Sequence, residues 1–139
     1  MTLSIALATR ALMLDGFETS MLVGGGTANF TVYQSQTALC VFPLAASPFG
    51  AGSSDSMVLA STPIDSTGTE VAGQANRFVI TDQAGTTTLT GTISAIGGGG
   101  DIQVPSLTVT AGATQRLNAL VLRWDSSGKL TVYASLMLV

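Results

Sequence analysis

The sequence predicts a mainly β domain: an antiparallel β-sandwich or jelly-roll-like sheet pair with one N-terminal α-helix. Three observations predict it. Short apolar runs recur at regular spacing between Gly-, Pro- and Ser-rich turns, which is the pattern of stacked antiparallel sheets. Thr and Ser supply 33 of the 139 residues, and β-branched Thr suits a pleated, half-exposed surface. Helical spacing is strong in one stretch only, close to the start. The length fits one domain that buries roughly 68% of its unfolded surface, enough for a core without staples. Two parts are expected: a helix with a Gly-rich hinge over 1–26, and the β-sandwich over 27–139.

The helix is predicted over 3–21. Leu3, Leu7, Leu14, Phe17 and Met21 recur at helical spacing, with Ala11 on the same stripe. Thr2 or Ser4 can cap its start, and Gly24, Gly25 and Gly26 end it. So apolar a stripe packs on something, either its own β core or a neighbouring molecule; the sequence leaves both open.

Strands follow in order. Residues 27–34 place Phe30, Val32 and Tyr33 among Thr residues, and 38–44 is an apolar run carrying Pro43. Residues 45–56 read as a long loop, with Pro48, Gly50, Gly52 and four serines. A brief strand over 57–61 is stopped by Pro63, and 68–73 leads on to a strand over 76–81. Residues 77–81, a turn at Asp82 to Gly85, and 86–95 form the clearest hairpin signal in the chain. In its return strand Leu89, Gly91, Ile93 and Ala95 alternate with Thr88, Thr90, Thr92 and Ser94, a period of two. Gly97 to Gly100 reads as a flexible break. Strands at 102–104 and 107–110 follow, then a second hairpin, 116–124 into 129–138, turning at Asp125 to Gly128.

Charge is scarce. Only 9% of residues are charged, five Lys or Arg and eight Asp or Glu, for a net charge of −3. Soluble domains average about 25%. A free monomer ordinarily needs a charged skin to stay dispersed, so this chain reads as a subunit whose surface is partly given to other protein. The cations Arg10, Arg77, Arg116, Arg123 and Lys129 are scattered, and nucleic-acid binding needs a basic patch. Arg10, Asp15 and Glu18 interrupt the apolar N-terminal stretch, which fits neither a membrane span nor a secretory leader. The chain is therefore expected to be made in the cytoplasm without a cleaved leader.

Enzyme chemistry finds few footholds. The chain has no His, which removes Ser-His-Asp and Cys-His catalysis. Cys40 is the only cysteine, so an intrachain disulfide and a structural zinc site are both excluded. Within an apolar run and with no cation close in sequence, it reads as a small core hydrophobe rather than a reactive thiol. Asp55, Asp65, Asp82 and Asp125 are the carboxylates that could pair in space, but loop and turn positions favour local backbone bonding. Neither glycine run is followed by the Lys-Ser or Lys-Thr of a phosphate loop. The sequon at Asn29 has no secretory context. Arg77–Phe78 and Arg123–Trp124 are the only cation–aromatic neighbours, and adjacent strand residues face opposite ways. No catalytic, cofactor-binding or metal-binding residue is expected, no cofactor, and no nucleic-acid, membrane or small-molecule partner.

At Asn76 to Thr86 (NRFVITDQAGT), Gly91 to Ser94 (GTIS) and Asp101 to Val104 (DIQV) the chain resembles a loose group of small tailed-bacteriophage virion proteins. Members of that group join a short helix of the Leu-Arg-x-x-Met-Leu-Asp kind to a Phe-Arg-Ile-Thr-Asp-x-x-Gly hairpin, a Gly-rich bend and a Thr-rich strand pair. Here the helix segment reads ATRALMLD over 8–15 and the bend is followed by SLTVTAG over 106–112. The order Arg77-Phe78 departs from the group's Phe-Arg. The similarity covers roughly residues 5–123 and carries over no functional residue. It implies a head or tail structural protein, foremost a capsid decoration (cement) protein. As such it would bind the phage major capsid protein as an oligomer, a homotrimer at threefold positions, located on the virion and its head. A tail, head–tail connector or short fibre component is the alternative in the same setting. A receptor- or carbohydrate-binding β-sandwich is another. The helix and the 45–56 loop are the expected docking parts.

Overall fold

The computed structural model describes residues 13, 14, 16, 17, 19–46, 48, 49, 56–68, 70–124 and 130–139. Eleven strands are described, in two main sheets and a small ladder. The expected start of the helix, with its caps at Thr2 or Ser4, lies outside the described residues, as do most of the 45–56 loop and the 125–129 turn.

The first sheet grows from two hairpins. β1 (Asn29–Gln34) and β2 (Thr37–Pro43) pair antiparallel across a turn in which Ser35 takes φ 54°. That left-handed conformation is uncommon for Ser. Two long-range bonds fix it: Ser35 N–H donates to Asn76 Oδ1 at 2.8 Å, and Arg77 Nε donates to Ser35 O at 2.8 Å. β6 (Arg77–Thr81) runs antiparallel to β1 on one side and to β7 (Thr87–Ala95) on the other. β8 (Ile102–Val104) completes the order β2-β1-β6-β7-β8.

One strand of the otherwise antiparallel first sheet runs parallel to its neighbour: β8 pairs with β7, Ile93 opposite Ile102. Parallel neighbours ordinarily need a crossover of a dozen residues or more. Here residues 96–101 suffice, since Gly97 and Gly99 adopt φ of 88° and 80°, a region open to glycine at little cost. The return is tied: Gly98 N–H donates to Ala95 O, Gly97 N–H to Gln103 Oε1 and Gly100 N–H to Ser94 Oγ, each at 2.9 Å.

The second sheet centres on β10 (Arg116–Trp124), with β11 (Leu130–Met137) on one side and β3 (Ser56–Val58) and β4 (Ile64–Asp65) on the other. β5 (Gly73–Gln74) and β9 (Thr108–Val109) form the small ladder. The register of β10 shifts between Leu117 and Ala119. That bulge lets Leu117 and Leu120, three apart, both face inward, with Leu122 continuing the buried series.

The core lies between the sheets. Phe30 stacks on Phe78 at 5.3 Å between centroids and meets Phe42 edge-on at 5.9 Å. Leu117, Leu120, Leu122, Leu136 and Met57 close over them from the second sheet. Burying each such side chain stabilises by about 1.5–3 kcal/mol. The helical residues described within 13–21 join this same core through Leu14 and Met21, which answers the question left open by the stripe. Phe49, expected in a loop, is buried and meets Phe17 edge-on at 5.8 Å.

Two sheet edges are covered by the chain itself. Thr67 N–H donates to Val41 O and Val71 N–H to Leu39 O along β2. Phe49 bridges Leu59 just beyond β3. Covered edges resist adventitious strand pairing.

Candidate interaction surface

The structure places the two described candidate carboxylates, Asp65 and Asp82, on different sheets. Asp65 sits on β4, where Arg116 Nε donates to its Oδ1 at 2.8 Å. That hydrogen bond, aided by the guanidinium charge, holds the Asp65 carboxyl below its ordinary value and raises Arg116. Asp82 closes the β6–β7 turn: its Oδ1 accepts the N–H groups of Ala84 at 2.9 Å and Thr86 at 2.8 Å. This is the local backbone bonding expected of Asp in a turn. Asp55 and Asp125 lie outside the described residues. Asn29 of the sequon donates from Nδ2 to Thr27 O.

Other polar groups are also tied locally. Asp101 Oδ2 accepts from Thr92 N–H and Oγ1, at 2.9 and 3.1 Å, where β8 has not yet begun to pair with β7. Glu70 is buried, and Ser66 Oγ donates to its Oε1 at 2.7 Å. Cys40 is buried, and burial, with Glu70 adding to it, pushes its thiol up to about 12. Such a thiol is neutral and inert. Arg77, facing Tyr33 across the β1–β6 ladder, lies 4.5 Å above that ring. The pair is made across the ladder and not between sequence neighbours, so it is not visible in the order of residues.

A cavity of about 120 Å³ opens between β7 and β11, lined by Phe78, Leu89, Leu122 and Val132 with Asp101 beside it. One carboxylate against apolar walls supplies no acid–base pair. Among the described residues no group of three potential ligands gathers to hold a metal ion. No helix of the described residues is long and apolar enough to cross a membrane.

What stands out is a face. The outward residues of the second sheet form rows across its strands. Val58, Val121 and Tyr133 lie side by side, Ala119 lies beside Ser135, and Met137 lies beside Arg116. Val58, Tyr133 and Met137 are 57%, 61% and 56% exposed. A solvent-facing sheet surface normally alternates to polar residues. Among the described residues, charge lies at the ends of this face, Arg123 at one and the Asp65–Arg116 pair at the other. The corresponding side of the first sheet carries Thr81, Thr90 and Thr92, with Thr31 and Val79 buried between them. The sequence reading singled out the second hairpin but not this face. Val121 is indistinguishable from core in the sequence until the β10 bulge fixes which residues point out. Of the expected docking parts, Leu14, Met21 and Phe49 are core residues.

Set beside known proteins, the chain matches no protein-family model, no curated protein and no solved structure.

Proposed function

We propose that this chain is a non-enzymatic structural protein of a tailed-phage virion, a capsid decoration protein that binds the major capsid lattice as an oligomer and stabilises the head. The observation that carries the reading is the charge-poor surface, concentrated in the apolar outer face of the second sheet. Permanent interfaces are depleted in charge and enriched in aromatic and apolar residues at their centres. Local pairing of most described charged groups leaves few to specify a soluble ligand or substrate. The likeness at the 76–86 hairpin supplies the phage setting, and many copies on one shell multiply modest contacts by avidity.

A reconstruction of purified particles tests this. Density for the chain spread over the head lattice, at hundreds of copies by quantitative mass spectrometry, is the expected result. A handful of copies at the neck, tail or fibre identifies the alternative virion role. Absence from particles overturns both.

A further inference from the structure

We infer that Ile96, at the tip of the β7–β8 return, is a knob that seats in the cavity between β7 and β11 of a second copy of this chain. The inference rests on the assembly reading and names the contact between subunits.

The knob is apolar, prominent and stiffly mounted. Ile96 is 70% exposed, and no other large apolar residue described is more so. Just before it Ala95 pairs with Val104. Just after it the N–H groups of Gly97, Gly98 and Gly100 are each bound at 2.9 Å. An anchor fixed in advance loses little freedom on binding. A single exposed apolar residue is ordinary; one held at the tip of a tied turn, on a molecule that also carries a hole of its size, is not.

The hole fits one branched aliphatic side chain. Its volume is about 120 Å³, and Phe78, Leu89, Leu122 and Val132 form its apolar walls. An engineered cavity of about 150 Å³ with such a lining takes benzene. Asp101 is the one charged residue of the lining. Its Oδ2 accepts from Thr92, while its Oδ1 accepts from no group among the described residues. The tip, residues 95–100, carries no charged side chain, and Gly99 N–H donates to no group among the described residues. Seating the tip thus opposes no like charges and brings a spare main-chain donor to a spare carboxylate oxygen, the stronger kind of hydrogen bond.

Position dictates a neighbouring copy. Ile96 stands about 17 Å along β7 from Gly91 at the cavity, counting 3.3–3.4 Å per residue, so it cannot reach its own hole. Ile93 is buried and strand side chains alternate, which sends Ile96 to the outer side of the first sheet. The cavity opens between the sheets instead. Knob and hole therefore look out on different sides, and two copies cannot fill each other reciprocally. Each copy gives its knob to one neighbour and receives one from another, a heterologous contact that builds rings or chains of copies.

The test is sedimentation of the full chain over a concentration series, with thermal melting of each variant as the control for folding. The wild type is expected to form species of three or more copies. Ile96→Asp removes the knob and Leu89→Trp fills the hole; each is expected to weaken association roughly tenfold or more. Should Leu89→Trp melt early, Leu130→Asp blocks the rim at a 37% exposed position. The knob-less and hole-less variants, mixed, are expected to form one-to-one pairs and nothing larger, since one intact knob meets one intact hole. A wild type that stays single or stops at a dimer overturns the inference. So does undiminished assembly of Ile96→Asp, or a mixture that yields no pairs. These outcomes are separate from the capsid reading: a ring absent from particles keeps the contact and loses the capsid role. Lone subunits on the head lattice do the reverse.

Discussion

The side-chain amide of Gln115 pairs with the backbone of Val139 as a neighbouring strand would: Nε2 donates to Val139 O at 3.0 Å and Oε1 accepts Val139 N–H at 2.6 Å. Gln115 is fully buried, and Nε2 also donates to Ala113 O. Its own N–H donates to Ser66 Oγ, which in turn donates to Glu70. The loop after β4, the approach to β10 and the residues following β11 are thus held by one connected polar network.

Gln115→Met keeps most of the volume and removes the amide. Val139 N–H and O then lose their partner at a residue that is itself 54% exposed, so the net contribution of such bonds, about 0.5–1.5 kcal/mol, is what is lost. Urea denaturation is expected to show a loss of that size, with hydrogen exchange at Val139 accelerating more than exchange within β6.

Gly91 lies directly opposite Phe78, and a Cβ added there would come within 2.6 Å of the Phe78 ring and 2.9 Å of Asp101 Oδ2. The ring covers the glycine at the price of forbidding any side chain. Gly91→Ala is expected to destabilise by about 1–3 kcal/mol through overpacking. Combining it with Phe78→Leu should cost less than the sum of the two single changes, as a double-mutant cycle would report.

The Cys40 thiol sets an alkaline limit. Its folded value, about 12, lies above the ordinary 9.0 because burial and Glu70 disfavour the thiolate. A raised value contributes stability that is complete below the unfolded value and is lost as pH rises through the folded one. Denaturation midpoints are expected to hold up to about pH 9 and then fall toward 12, and Cys40→Ala should flatten that fall. Native protein should resist thiol reagents that label the unfolded chain.

Asp65 behaves in the opposite sense. Its carboxyl is held below 3.8 by Arg116, so its contribution is present above the unfolded value and lost as pH falls through the folded one. An NMR titration is expected to place the midpoint below 3.8 in the wild type and to return it to the ordinary range in Arg116→Gln. Both groups are exposed, so stability should change little.

Much of the β architecture was legible because punctuation and period agreed. The β6–β7 hairpin is announced by Asp82 and Gly85 between two alternating runs, and β1, β2, β10 and β11 by Phe, Val and Leu at strand spacing. Three things were not legible. The parallel placement of β8 depends on how Gly97 and Gly99 bend the return, and glycine runs fit a loose loop equally well. Phe49 sits in turn-rich sequence and is recruited to the core by Phe17, a contact far away in the chain. The apolar face was hidden by parity, since Val121 takes the same side as Leu117 in any β10 register that lacks the bulge.

The extra residue at Asn118 decides which half of β10 is skin and which is interior. Were Asn118 paired in regular alternation instead of bulged out, the strand's first two side chains would trade places: the guanidinium of Arg116 would turn toward the phenylalanine cluster and Leu117 toward water. One unpaired position therefore sets the inside-out sense of a whole sheet end, and keeps the Asp65 ion pair on the surface.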